Sequence, residues 1–299
     1  IHNKYSTLFN FLFFLRYLFG IFFISAVLFL LIPYFFDFKK KDEIIKNYLL
    51  ENYDLTLNDY KDIKYNFLPT PNLEVQSVKL SLKTDSIKMN MKSLNIYPKL
   101  LSIYNFDNFV INKIILNENT ILISDSDLKN LIGYIYSLKN RLSFKKLNLK
   151  INRKDTSLIN LQNIYFSNYG YNKNIVRGKL FDKKFKILIR DNYNKINFEL
   201  LKTGVSIDIN FNEIKKNSKT SGILKSKLLN SKLKFNFDYD NKKIIIFNSY
   251  FRSKDLSFNN ESIITYYPFF SLNSVLNIED INIDLLKKIN INKVLISKN

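Results

Sequence analysis

The sequence predicts a mainly β protein held by a single N-terminal transmembrane helix, and three observations predict it. Residues 17–36, YLFGIFFISAVLFLLIPYFF, form an uncharged apolar run. Beyond that run, apolar residues alternate one-for-one with Lys, Asn, Ser and Asp through most of the chain. Helical periodicity is confined to a few short segments after the anchor, too few to cover the apolar face of roughly a dozen strands.

The anchor comes first. A run of roughly twenty residues is about 30 Å long as a helix and matches a bilayer core. Tyr17 and Tyr34 lie near its ends, where amphipathic rings settle at the headgroup level, with Ile24 and Val27 near its middle. Apolar character extends back through Leu8–Phe14, and Arg16 can snorkel to the interface. The run exceeds the usual apolar region of a signal peptide, and no small-x-small site precedes Asp37, so residues 1–38 are expected to stay as a membrane anchor. Lys4 and Arg16 flank one side; Lys39, Lys40, Lys41 and Lys46 flank the other. By the positive-inside rule alone, that count would place the large C-terminal part in the cytoplasm.

Residues 39–65 read as a juxtamembrane helix and linker. In DEIIKNYLLEN, Asp42–Asn52, the acidic start suits the helix dipole, and Ile45, Leu49 and Asn52 fall near one face. A stiff corner follows. Phe67-Leu68 runs into Pro69-Thr70-Pro71, whose prolines fix φ and push the preceding residues towards extended geometry. Leu73 and Val75 then alternate with polar neighbours, and Val78, Leu80 and Leu82 alternate one residue out of phase, the signature of a β-bulge.

From there period two dominates: Ile87-Met89-Met91, Leu147-Leu149-Ile151, Phe185-Ile187-Ile189, Ile196-Phe198-Leu200, Val205-Ile207-Ile209-Phe211 and Leu233-Phe235-Phe237-Tyr239. Strands of this kind carry one apolar and one solvated face, as in antiparallel sheets. Tyr193-Asn194, Asp240-Asn241 and Asn259-Asn260 read as turns. Ser126–Lys139 reads as a helix with Leu128, Leu131, Ile132, Ile135 and Leu138 on one stripe and Asp125 or Ser126 as its cap. A shorter helix is expected over Asp280–Ile289. The apolar sheet face must therefore close on another sheet, curl on itself or bind something apolar.

Composition narrows the chemistry. The net charge of +20 and pI of about 9.7 favour anionic partners. The lysines alternate with apolar residues rather than clustering with exposed aromatics, which argues against nucleic acid and leaves anionic headgroups. There is no cysteine, and the single histidine, His2, precedes the membrane run, so a His-based triad or a Cys/His metal site in the large domain is excluded. Asp125 and Asp127 read more simply as a helix-capping loop than as a catalytic carboxylate pair. Gly133, Gly170 and Gly178 lack the spacing of a nucleotide fingerprint. Neither a cofactor nor a metal is expected, and the chain reads as a non-enzyme.

The order anchor, short helix, FLPTPNLEVQSVKLSL, a strand, then IYPKLLSIYNFDNFVINKIILNENTILI and a helix resembles the N-terminal region of AsmA-like proteins. Pro98-Lys99-Leu100-Leu101 sits where such proteins place a Pro-Leu-Leu type turn. Ser221–Leu229 with KLKFNFDYDNKKIIIFNSYFRSKDLSFN and Pro268-Phe269-Phe270 is similar to that family's repeated groove strands. The resemblance implies a long, curved, largely antiparallel sheet forming an elongated groove over residues 66–299, from a short or truncated member. It implies a single-pass protein of the bacterial inner membrane with its C-terminal domain in the periplasm. It also implies a role in outer-membrane biogenesis, with phospholipid held or moved along the groove and other envelope proteins as further partners. Asp42, Glu43 and Glu51 accompany the flanking lysines and weaken the opposite topology. Leu233, Phe235, Phe237, Tyr239, Val205, Ile207, Ile209 and Phe211 are the expected groove lining. The alternative is a membrane-anchored structural or interaction domain, a β-sandwich with a dry core.

Replacing both Ile24 and Val27 with Arg is expected to abolish stable insertion, since each mid-bilayer charge costs at least ~2.5–3.5 kcal/mol. Alkaline extraction of membranes checks this: the double variant should move to the soluble fraction or be degraded.

Overall fold

The computed structural model describes residues 2–82, 87–124, 127–153, 156–190, 194–213, 220–240, 242–266 and 269–282. It divides into two compact units, Ile1–Tyr169 and Gly170–Asn299. Both are built on open, mostly antiparallel sheets, as the period-two pattern requires.

In the first unit, helix α1 spans His2–Leu31 and passes into a 3₁₀ turn, Ile32–Phe35, at Pro33. Phe11–Phe35 has a mean hydropathy of 2.5 and is long and apolar enough to span a membrane. Tyr17, Ile24 and Tyr34 are exposed and Val27 is half-buried, an outward-facing apolar surface suited to lipid. A second 3₁₀ turn, Phe38–Lys41, leads into α2, Asp42–Tyr53. Asp42 accepts from the Lys46 ammonium (2.6 Å) and from the Tyr60 hydroxyl (3.1 Å), and the Lys46 bond holds its carboxyl below the usual range. The buried stripe of α2 is Ile45, Leu49 and Tyr53. Tyr53, not Asn52, completes it, because four residues after Leu49 the helix returns to the same face.

Eight elements follow: β1 (Leu55–Asp59), β2 (Asp62–Asn66), β3 (Asn72–Leu82), β4 (Lys88–Pro98), β5 (Ile111–Ser124), α3 (Leu128–Ser137), β6 (Leu142–Arg153) and β7 (Thr156–Ser167). Their order in the sheet is β1-β3-β4-β5-β6-β7, with β2 also on β3, and only β5 and β6 run parallel. That parallel pair needs a crossover, and α3 supplies it. The Tyr134 hydroxyl of α3 donates to Tyr53 O (2.8 Å) at the end of α2, binding the two helices to each other. Among its described side chains Tyr134 and Leu131 are buried, whereas Ile132 of the expected stripe is 59% exposed. The residues expected to cap α3, Asp125 and Ser126, lie outside the described residues.

The phase slip read in β3 is a property of the whole sheet. Buried residues change phase between Val75 and Val78 on β3, Leu94 and Met91 on β4, Leu116 and Ile121 on β5, and Phe144 and Leu147 on β6. The slips are in register, since Val75 pairs with Leu94, Leu94 with Leu116, and Leu116 with Phe144. Ser77, Glu118 and Lys146 hold left-handed φ values of 51°, 48° and 56° along this line, and Asn163 of β7 (50°) lies beside it. Non-glycine residues seldom adopt that region, and a row of them bends several strands together. On the solvent side Glu118 bonds both Lys92 (3.2 Å) and Lys146 (2.9 Å), and the two ammonium groups lower its pKa. Met89 and Met91 are buried, as core methionines should be.

The second unit is a meander of nine strands: β8 (Ile175–Leu180), β9 (Lys183–Arg190), β10 (Lys195–Leu200), β11 (Val205–Glu213), β12 (Thr220–Leu228), β13 (Ser231–Tyr239), β14 (Lys243–Arg252), β15 (Leu256–Thr265) and β16 (Ser271–Ile281). Each pairs antiparallel with the next. Asp240 turns the chain between β13 and β14 by accepting from Lys242 N and Lys243 N, both 2.8 Å; Asn241 and Tyr193 of the expected turns lie outside the described residues. Asn259-Asn260 is no turn: it lies inside β15, where the Asn260 side-chain amide donates to Ser274 Oγ (2.7 Å) on the next strand. Asp280 likewise ends a strand rather than starting a helix; residues 283–289 lie outside the described residues.

The buried cores of the units differ sharply. Among the described residues, every buried hydrophobic except Phe185 belongs to the first unit. Leu49→Ala is therefore expected to destabilise by about 2–5 kcal/mol by leaving a cavity. Phe235→Ala, at a half-exposed position, should cost well under half as much. Urea-dependent pulse proteolysis of the detergent-purified chain checks the contrast.

Candidate functional site: an uncovered apolar sheet face

Strand register in the second unit brings the predicted lining residues into one array. Along β11, Val205, Ile207, Ile209 and Phe211 alternate with Ser206, Asp208, Asn210 and Asn212 and so share a face. They pair across β12 with Leu228, Ser226, Leu224 and Gly222. Those four pair with Ser231, Leu233, Phe235 and Phe237 of β13, and Tyr239 pairs with Thr220. The array extends in the other direction through Leu200, Phe198 and Ile196 to Phe185, Ile187 and Ile189. It continues through Ile244, Ile246 and Phe251 of β14 to Ile264 and Phe258 of β15, and from there to Leu272 and Ile278 of β16. Reasoning from single strands names β11 and β13; pairing shows that β9 to β16 all contribute, and Val176 of β8, paired with Ile187, adds the ninth strand. The face is ~20 Å wide over the seven residues Val205–Phe211 and ~40 Å long over nine strands.

No layer of the second unit covers this face among the described residues. Val205, Ile207, Ile209, Phe211, Leu233, Phe235 and Phe237 are all half-buried, and Tyr239 is 38% exposed. In a dry sandwich these positions would be buried against a second sheet ~10 Å away. Here the rings shield one another instead. Phe211 meets Phe237 edge-on at 6.0 Å, Phe185 stacks on Phe198 at 6.1 Å, and Phe251 stacks on Phe258 at 5.1 Å. Gly222 lies between Phe211 and Phe237 in the register, and Phe237 fills the space of its missing side chain: a Cβ there would come within 2.8 Å of Phe237 Cζ and 2.6 Å of Asn210 O.

Polar residues on the face are small and turned inward on the sheet. The Ser226 hydroxyl donates to Ser206 O (3.0 Å), the Ser249 hydroxyl to Asn260 O, and the Ser262 hydroxyl to Asn260 Oδ1 (2.8 Å). All three serines are buried, so their polarity is satisfied within the sheet, while Asn260 and Ser274 leave a polar rung on β15 and β16. The opposite face is mixed: Lys225 pairs with Lys234 and Lys227 with Lys232, like charges that water must separate, whereas Ile223 pairs with Asn236, Asn236 with Phe247 and Asp238 with Ile245. Two-faced strands exposed on both sides can bind apolar matter on one side and remain hydrated on the other.

The anchor residues occupy a separate place, in the first unit. Tyr17, Ile24, Val27 and Tyr34 lie along α1 and its 3₁₀ extension. Sequence reasoning missed what holds the end of that helix. Pro33 lacks the N–H that would reach Phe29 O in an α pattern or Leu30 O in a 3₁₀ pattern. The Tyr104 hydroxyl donates to Phe29 O (2.6 Å), and the Tyr65 hydroxyl to Leu30 O (2.9 Å). Burial pushes the Tyr65 phenol up to about 12 and raises that of Tyr104, so both remain protonated donors at neutral pH. Comparison with protein-family models, curated proteins and solved structures found no match.

Because the chain has no cysteine, a single introduced cysteine reports one site. Cysteines replacing Ile207 or Phe237 are expected to react with a maleimide in the folded, detergent-purified chain, whereas one replacing Leu80, which is 1% exposed, should react only after unfolding. Mass spectrometry of the labelled protein gives the answer.

Proposed function

We propose that this chain is a membrane-anchored, non-enzymatic lipid-binding protein of the bacterial envelope that holds or moves phospholipid along the apolar face of its second unit. The observation that carries this reading is the uncovered apolar array on β8–β16. Burying each CH₂ of an acyl chain contributes about 0.8 kcal/mol, so such a face retains lipid strongly against loss to water. Successive strands offer similar linings, so displacement along the sheet exchanges like contacts for like. Headgroups stay in solvent.

The location proposed is the inner membrane, single-pass, with the sheets in the periplasm and a role in outer-membrane biogenesis. The lysine count beside the anchor opposes that topology. Lys39, Lys40 and Lys46 each face a carboxylate, Asp62 (3.3 Å), Asp37 (3.5 Å) and Asp42 (2.6 Å), but the positive-inside rule counts lysine and arginine rather than net charge. A reporter fused after Asn299 should be active only when exported.

Photo-crosslinking residues at Phe235 or Phe237 are expected to capture phospholipid, and ones at Lys234 or Asn236, on the other face, are not. Phe235→Asp should leave abundance near normal, because a carboxylate on an uncovered face stays hydrated, yet it should fail to complement an outer-membrane permeability defect. Loss of the protein together with absence of any lipid crosslink would overturn the proposal, since an unpaired carboxylate is destructive only in a closed core.

A further inference from the structure

The two tyrosines that satisfy the end of α1 stand at one end of the first unit's sheet. Tyr65 closes β2, and Tyr104 ends the 3₁₀ turn Leu100–Ile103 between β4 and β5. The pairing of Leu73 with Ile96 and of Pro98 with Ile111 brings residues 67–71 and 99–110 to the same sheet end. Aromatic contacts tie that end to the helix: Phe29 stacks on Tyr104 at 4.5 Å, Phe36 lies 6.4 Å from Tyr104, and Phe38 stacks on Tyr65 at 6.1 Å.

These contacts set a depth. The acceptors, Phe29 O and Leu30 O, precede the end of the apolar span at Phe35 by five to six residues, so ~8–10 Å of the span lies beyond them along the chain. An apolar span of 25 residues is ~37 Å long, about 7 Å more than a hydrocarbon core. Even if that whole excess lay on the Phe35 side, the two hydroxyls would reach the hydrocarbon boundary. The sheet end bearing them, with its adjoining loops, therefore cannot stand clear of the bilayer. Their side chains suit that position: Leu68 is 65% exposed, Leu100 47% and Leu101 73%, and exposed Lys99 can meet lipid phosphate.

We propose that residues 67–71 and 99–104 are immersed in the membrane interface, with Leu68, Leu100 and Leu101 among the acyl chains, so that the first unit is docked on the bilayer at the anchor's exit. This inference rests on the anchor alone and holds whether or not the second unit carries lipid. It assigns the proline corner and the Pro98–Leu101 turn a membrane-facing role.

The test uses the full chain with single cysteines at Leu68, Leu101 or Leu122, each carrying an NBD fluorophore, in vesicles of phosphatidylethanolamine and phosphatidylglycerol. Leu122 is 61% exposed but lies near the far end of β5, ~35 Å along the strand from Ile111. Addition of a lipid with a nitroxide just below its headgroup should quench the probes at 68 and 101 severalfold, and their emission should be blue-shifted relative to that at 122. Equal emission and quenching at all three positions would overturn the proposal. So would a blue shift at 68 and 101 without nitroxide quenching, which would mean that protein rather than lipid covers these leucines.

Discussion

An amphipathic sheet must hide its apolar face from water, and the two units of this chain meet that demand in different ways. In the first unit the face is covered by the chain itself. α2 contributes Ile45, Leu49 and Tyr53, α3 contributes Leu131 and Tyr134, and β3–β6 place leucine, isoleucine and methionine beneath them. In the second unit the same alternation is written across nine strands, yet the described residues include no helix there and Phe185 is the lone buried hydrophobic. Among the described residues, the apolar surface there has no element that covers it. Everything functional in the account follows from that difference.

The first unit shows what bends the sheet. A single bulge in β3 would re-aim one strand. Aligned slips from β3 to β6, with left-handed residues at Ser77, Glu118 and Lys146, fold several strands along one line, and the Lys92–Glu118–Lys146 bridge runs over it on the wet side. Exposed ion pairs of this kind contribute little to stability. Their position keeps the three charged groups on the wet side of the bend.

Much of this was legible from residue order. Alternation located the strands, and the uncharged run located the long apolar helix. The phase change from Val75 to Val78 disclosed the slip at Ser77, although the β3–β4 pairing passes it without an extra residue on either strand. What failed did so because local signals are ambiguous without partners. Asn259-Asn260 resembles a turn, but Ser249 and Ser274 on the neighbouring strands make it a polar rung of the sheet. Asn52 and Tyr53 both follow Leu49 closely; Tyr53, four residues on, keeps to the buried face, and α3 meets it there through the Tyr134 hydroxyl. The tie between Pro33 and Tyr104 spans about seventy residues of sequence and carries no local signature. The lining array was half legible: β11 and β13 announce themselves, whereas Gly222 and the buried serines between them acquire meaning only through cross-strand register.

The central claim, that the apolar array of the second unit is a lipid surface, is tested most directly by the lipid that accompanies the protein. Phospholipid extracted from the detergent-purified full chain would be quantified by mass spectrometry beside a variant carrying Ile207→Asp, Phe235→Asp and Ile246→Asp, whose anchor is unchanged. The account predicts that the variant remains folded and membrane-bound and retains only the lipid held by the anchor, with the remainder lost. Equal phospholipid on the two proteins, with both folded, would contradict it.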